Sequence, residues 1–214
     1  MSLTRDRAPD GTRHRGPSTR NVRGFTLVEL VVTFALVALL TMLAVPSFTT
    51  WIQNTKVRAV ADSLQTGVRL AQTEAVRRNQ QVVLSLTNAT PGLGVAAASN
   101  GSNWSAQTVA QFGGTATFIQ GGALADMASG VSINSSINAI CFNSNGRMVT
   151  NASSTGVPGA SCAATGPATF DITRTSADRR LRVIVQLGGQ VHMCDPDRPT
   201  LSSTSPDGCP TTTP

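Results

Sequence analysis

The sequence predicts an α+β protein in which one long N-terminal helix packs its second half on an antiparallel, disulfide-bonded β head. Three observations predict it. No charged residue falls between Leu30 and Thr55. From Val57 to Ala75, apolar residues recur every three or four positions. After Leu86, short β-branched runs alternate with stretches rich in Gly, Ser and Asn, and all four cysteines lie there. The 214 residues leave room for one ordinary domain plus a targeting or anchoring segment.

Composition narrows the class. Charged residues make up only 13% of the chain and tyrosine is absent, which suits a β-rich extracellular head with polar loops better than a cytosolic enzyme. The formal charge of +6 would suggest nucleic acid or a membrane surface, but its distribution decides. Arg5, Arg7, Arg13, Arg15, Arg20 and Arg23 precede Phe25, against Asp6 and Asp10, so the first 24 residues carry +4 and the remainder only +2. The basic excess belongs to the leader segment.

Phe25 to Val45 is a run of 21 residues, about 31 Å as a helix, which matches the hydrocarbon core of a bilayer. Arginines precede it and none follows immediately, which orients the N-terminus to the cytoplasm. A cleaved secretory signal would have a shorter apolar region ending at a small-residue site. "TMLAVPS" offers no such site, and Glu29 sits inside the run. A plain single-pass anchor explains the length but leaves Glu29 without a role.

Gly24 followed by Phe25-Thr26-Leu27-Val28-Glu29 closely resembles the processing site of type IV prepilins and pseudopilins. The resemblance implies cleavage by a prepilin peptidase after Gly24, N-methylation of Phe25, and retention of the apolar segment on the mature chain. Residues 1–24 would then be a cleaved leader, longer and more polar than the short leaders common in that family. Glu29 would become the fifth mature residue and an assembly determinant. A carboxylate in the first helical turn meets the positive end of the macrodipole. A neighbouring subunit's amino terminus could supply its counter-charge.

Residues 25–45 are therefore expected to form the transmembrane and filament-core half of the helix, and 46–79 an amphipathic half. Pro46 removes an amide donor and clashes with the preceding turn, so a kink is expected near Ala44 to Ser47. Val57, Val60, Ala61, Leu64, Val68, Ala71 and Ala75 form one stripe, with Lys56, Arg58, Asp62, Arg69, Glu74 and Arg77 mostly off it. Gly67 reads as a tolerated helix glycine. The helix is expected from Thr26 to Asn79, near 80 Å at the standard rise. Arg77 and Arg78 read as a solvated helix end facing its own carbonyls.

Residues 80–214 read as a β-rich periplasmic head. Strands are expected at Gln81 to Leu86, Thr115 to Ile119, Val131 to Asn134, Ala139 to Phe142, Ala168 to Arg174, Leu181 to Leu187 and Gln190 to Met193, the last two joined at Gly188-Gly189. "TNATPGLGVAAASNGSNWSAQ" reads as a long polar loop, and the tail from Pro199 as irregular except where cysteine fixes it. "RLAQTEAVRRNQQVVLSL" and "CFNSNGRMV … TFDITR … RRLRVIVQLGGQVHMCDPD" look like the FimT, FimU and GspH group of minor pilins and pseudopilins. The resemblance implies a structural subunit that primes type IV pilus assembly at the tip. Its partners would be other minor and major pilins. It would start as a single-pass inner-membrane protein and end at the cell surface. A type II secretion pseudopilin is the related alternative; such proteins more often lack these cysteines.

Cys141, Cys162, Cys194 and Cys209 all follow the span, on its expected periplasmic side, where two disulfides are expected. Three connectivities are open. Cys141–Cys162 with Cys194–Cys209 closes two short loops, each worth roughly 3 kcal/mol on the chain-entropy estimate. No C-x-x-C occurs and the two histidines are His14 and His192, so neither a metal nor a cofactor is expected. There is no G-x-S-x-G elbow, P-loop or H-E-x-x-H, and the proximity of His192 to Cys194 is weak grounds for catalysis when that cysteine is expected oxidised. DNA uptake is the competing function. Some FimT-like pilins bind DNA through Gly-Arg-x-Arg, but the corresponding Gly189-Gln190-Val191-His192 lacks both arginines, and Gly146-Arg147-Met148-Val149 has one and sits elsewhere. Arg174, Arg179, Arg180 and Arg182 could form a basic patch for phosphates, or a charged edge that discourages strand pairing.

Overall fold

The computed structural model describes residues 24–111, 113–150 and 155–210. Nearly all of the expected leader, with His14, lies outside them. The chain divides into two compact units between Leu43 and Ala44. One helix, α1, runs Leu27–Arg78. Its expected ends at Thr26 and Asn79 prove to be capping residues. The Thr26 hydroxyl accepts the N–H of Glu29 at 3.2 Å. At the other end Asn79 takes φ 50°, with Asn79 N–H donating to Val76 O and Gln80 N–H to Ala75 O, a Schellman closure with asparagine at the left-handed position. Helix is assigned unbroken through Pro46, and the expected kink would fall within three residues of the boundary between the units.

In the first unit the apolar side chains of α1 are exposed, Leu27, Phe34 and Leu40 among them. In the second, all seven residues of the stripe from Val57 to Ala75 are at most 1% exposed and join one apolar cluster. With Leu124, Ala128 and Met148 from the segments between strands, two antiparallel sheets supply the rest of that cluster. The first contains β1 (Val82–Thr87), β2 (Asn103–Thr108), β3 (Phe118–Gly122) and β5 (Ala139–Phe142) in the order β3-β2-β1-β5. A one-turn helix, α2 (Leu124–Met127), follows β3 and buries Leu124. The second sheet contains β4 (Val131–Ser135), β6 (Ala168–Arg174), β7 (Leu181–Val185) and β8 (Val191–Cys194), in the order β4-β6-β7-β8.

Alternation explains which face of each strand meets the helix. Val82, Leu84 and Leu86 of β1 join the helix cluster, as do Phe170 and Ile172 of β6 and Val183 and Val185 of β7. Val83 turns to the opposite face of the first sheet, where a second cluster holds Ala139, Cys141, Val157 and Cys162. The Cys141–Cys162 disulfide ties the segment around Val157 across that face. All six residues of β1 are buried as a result. The second disulfide, Cys194–Cys209, fastens the tail to the end of β8, where Asp195 and Gly208 also form a bridge.

One expectation fails in the region read as a long polar loop. Its last residues form β2, which is wholly buried and central in the first sheet. The alternation was hidden because only Trp104 and Ala106 are apolar, while the opposite face is polar and yet covered. There Ser105 Oγ donates to Gly92 O at 2.9 Å and Gln107 Oε1 accepts Gly94 N–H at 2.7 Å. Asn103 Nδ2 donates to Ala89 O at 3.0 Å. The loop is sewn to the strand by side-chain amides and a hydroxyl, a pattern that reads as surface in sequence. β3 also lies later than expected, ending in Gly121 and Gly122, and the strand expected to reach Leu187 stops at Val185.

Gly67 is a further correction. A β-carbon there would lie 2.7 Å from Cε2 of the Trp104 indole, and one at Gly122 would also overlap that ring. Trp104 is 3% exposed and its Nε1–H reaches Ser63 Oγ at 3.4 Å. Glycine at 67 is required by this approach of helix to sheet, not tolerated despite it. Arg77 and Arg78 stand exposed in the last turn of α1, as expected, and gain specific partners besides. Both guanidinium groups bind the Glu74 carboxylate at 2.6 Å, and Arg78 reaches Thr117 on the β2–β3 connection at 3.4 Å.

Two predictions follow from these contacts. Helix propensity alone makes Gly67→Ala stabilising by roughly 1 kcal/mol. Overlap with the indole makes it destabilising, by about 1–3 kcal/mol, in denaturant unfolding followed by fluorescence. The sign of the change decides between them. The second concerns acid. Hydrogen bonds from Arg77 and then Arg78 hold Glu74 at about 2, against an ordinary 4.5. A carboxylate lowered on folding supports the fold above its unfolded value and loses that support as pH falls toward its folded value. Glu74→Gln should therefore lower stability near neutrality and flatten the loss between pH 4.5 and about 2 in pH-dependent unfolding curves.

Candidate functional site

The first candidate site is the start of α1. Gly24 and Phe25 precede the helix, and Phe25 is 83% exposed. Thr26 is the N-cap and Glu29 the third helical residue. Thr-x-x-Glu before an apolar run is the sequence signature of a capping box, and it identifies Thr26 as a contributor that the reading of Glu29 alone passed over. With the Glu29 amide satisfied by Thr26, its carboxylate is exposed in the first turn and has no ion pair among the described residues. Every described side chain from Leu30 to Val45 is exposed. By length and composition α1 can cross a membrane.

The second candidate is the arginine set on the second sheet. The structure does not gather the four into one open patch. Arg182 on β7 faces Asp171 on β6 as a cross-strand pair and binds it through two parallel contacts of 2.6 and 2.9 Å. Arg180 binds Asp197 at 2.7 Å, and that carboxylate holds the guanidinium still more firmly charged. Arg174 closes β6 and donates to the carbonyl of Ser129 in the turn before β4. Arg179 lies exposed in the β6–β7 connection, its backbone N–H donating to Asn54 Oδ1 of α1 at 3.3 Å.

The Gly189 and Gly146 stretches are brought together. Gln72 on α1 donates to Gly146 O at 2.8 Å, and Met148 N–H to Leu187 O at 3.0 Å. Gly189 takes φ 88° against the same Gln72 and Gly146 groups. Arg147 is thus exposed beside the β7–β8 turn, and Arg69 and His192 line a neighbouring cleft of about 480 Å³. Cys194 is joined to Cys209, so it offers no thiolate to His192. Among the described residues, no group of three or more His, Cys, Asp or Glu is placed to hold a metal ion.

Comparison with known proteins sets these features in a family. Residues 60–189 match the family described as type II transport protein GspH, and residues 19–45 the prokaryotic N-terminal methylation motif. No curated protein matches the chain. Among solved structures, it is similar to the type IV minor pilin FimU of Pseudomonas aeruginosa, with 17% identity over 74% of this chain and 98% of that one and a TM-score of 0.46. It is similar also to the minor pseudopilin EpsH from the type 2 secretion system of Vibrio cholerae, with 14% identity over 67% and 99% and a TM-score of 0.45. With the family match spanning more than half its length and a methylation motif ahead of it, the chain belongs to the GspH family of minor pilins and pseudopilins.

Proposed function

We propose that the chain is a minor subunit that primes assembly at the tip of a type IV pilus. Prepilin peptidase cuts after Gly24, Phe25 becomes the methylated amino terminus, and Phe25 to Val45 holds the subunit in the inner membrane with its head in the periplasm. The subunit then leaves the bilayer and packs that segment among other minor and major pilins. The observation that carries this reading is Glu29, a lone carboxylate in the first turn of an exposed apolar helix directly behind a methylation motif. An unpaired intramembrane carboxylate costs on the order of 3 kcal/mol, so a neighbour's amino terminus that pairs with it favours docking in one register.

A second reading keeps the same chemistry in a type II secretion pseudopilus, and the family description favours it. The two part on phenotype: loss of the gene removes pili in the first case and export of folded substrates in the second. A DNA-receptor role through Arg174, Arg179, Arg180 and Arg182 has less support, because Arg180 and Arg182 already bind carboxylates within the head.

In cells carrying Glu29→Ala, N-terminal sequencing should still begin at a methylated Phe25, while surface pili counted by electron microscopy fall severalfold. Normal pilus numbers would remove the pairing role of Glu29. A mature chain beginning beyond Pro46 would remove the subunit reading altogether.

A further inference from the structure

Three amides in a row, Asn79, Gln80 and Gln81, carry the chain from the end of α1 into β1, and a cleft of about 440 Å³ opens over them. The β1–β5 register pairs Val82 with Phe142, and one step further it sets Gln81 opposite Asn143. Gln111, from the β2–β3 connection, lines the same cleft and brings its amide side chains to five. Ser144 and Thr150 add hydroxyls, and Val149, packed on the cluster around Val83, gives one apolar wall. No charged residue lines it among the described residues, although Arg147 lies between Asn143 and Val149 in sequence. The clefts at Arg69, and at Arg58 with Arg179, carry guanidinium groups instead.

The walls are fixed by hydrogen bonds. Gln80 Nε2 donates to Val109 O at 2.7 Å, and Val109 N–H donates to Gln81 O at 2.8 Å. Asn143 Oδ1 accepts the N–H groups of Asn145 and Arg147, both at 3.0 Å. Val149 N–H donates to Cys141 O at 2.9 Å. The side chains of Asn79, Gln81, Gln111 and Ser144, by contrast, have no hydrogen-bond partner among the described residues, and those of Gln81 and Ser144 are half-buried. Gln80 keeps its carbonyl and Asn143 its N–H₂ for a further partner. The cleft therefore offers donors and acceptors on a frame that needs little ordering when a ligand arrives.

We infer that this cleft binds a neutral saccharide. Its volume falls among those of small-molecule sites, roughly 300–1,000 Å³. An apolar ligand would strip water from the amides and return no hydrogen bond. A charged ligand would find no opposite charge, since Arg77 and Arg78 nearby are held by Glu74. A sugar carries adjacent hydroxyls that both donate and accept, as the two ends of an amide require, and a C–H face for Val149. An extended peptide would pair best along a strand edge. Here the edge of β5 is taken, by Met148 bridging Phe142 and by the Val149 bond to Cys141. The site lies wholly within the second unit and is independent of the assembly the chain joins.

The test is saturation-transfer NMR on the full chain in phosphatidylcholine nanodiscs, with maltose, lactose and N,N′-diacetylchitobiose as neutral probes. Sialyllactose is the charged counterpart and tetraglycine the peptide. At least one neutral disaccharide should receive saturation, and raised salt should leave its Kd unchanged. Asn79→Gly keeps the left-handed helix closure and removes one amide, and Gln111→Ala removes another from the opposite wall. Both positions are exposed, and each substitution should weaken binding by about fivefold. Arg69→Gln, in a different cleft, should leave it unchanged. The proposal fails if no neutral probe is saturated, if binding survives both amide substitutions, or if Arg69→Gln abolishes it. Stronger transfer to sialyllactose or to tetraglycine would make this an anion or peptide site and overturn the saccharide. None of these results bears on the role of Glu29.

Discussion

The approach of Trp104 to Gly67 sets the distance between α1 and the first sheet, and much of the head is arranged around it. A flat indole can lie against a helix at that range only where no β-carbon intervenes, and Gly122 on the neighbouring strand leaves the same ring room. The ring is fixed further by the reach of its Nε1–H to Ser63. Polar ties then pin α1 at intervals along its length. Asn54 holds the β6–β7 connection and Gln72 the turn at Gly146, while Arg78 reaches Thr117. Between these ties the stripe from Val57 to Ala75 supplies apolar area, which drives packing without fixing register. Register comes from the few directional contacts.

Apolar burial and covalent closure divide the remaining work. The helix covers one face of β1, and nothing comparable is available for the other, where Val83, Ala139 and Cys141 would meet water. The segment around Val157 covers them, although it has few apolar residues of its own. Cys141–Cys162 compensates by restricting that segment in the unfolded chain as well as the folded one. The C-terminal tail stands in the same position: polar, turn-rich, and held by Cys194–Cys209 with a short bridge beside it. Both disulfides therefore sit where the hydrophobic effect is weakest.

What was legible in the sequence follows from this division. The stripe was legible residue by residue, because a helix buried on one side against two sheets must repeat every three or four positions. β6, rich in alternating Phe170, Ile172 and neighbouring polar residues, was legible over its full length. β2 was not, since its buried polar face is satisfied by loop carbonyls and amides that lie distant in sequence. Gly67 was misread for a similar reason: propensity sees only the helix, and the constraint comes from Trp104. At the candidate sites, Glu29 stood out as a single acid in an apolar run, whereas Thr26 needed the capping pattern to be noticed. Arg180 and Arg182 looked free because Asp197 and Asp171 lie 17 and 11 positions away, and only strand pairing and the tail bring them near.

The distribution of satisfied charge separates the two parts of the chain. Beyond Val45, Asp62, Glu74, Asp171, Asp195 and Asp197 each meet an arginine at 4 Å or less, so five of the eight carboxylates there are answered internally. At the start of α1 the opposite holds. Thr26 satisfies the amide of Glu29, but a hydroxyl acceptor does nothing for a carboxylate. The helix end offers only partial positive charge, which does not neutralise it. A charge left in this state gains most from a cation supplied by another molecule, whereas the surrounding exposed leucines, valines and phenylalanines are kept from water equally by lipid or by neighbouring helices. The acid thus carries the preference for a partner while the apolar surface only demands cover, and the internally paired head remains free to present its own surface.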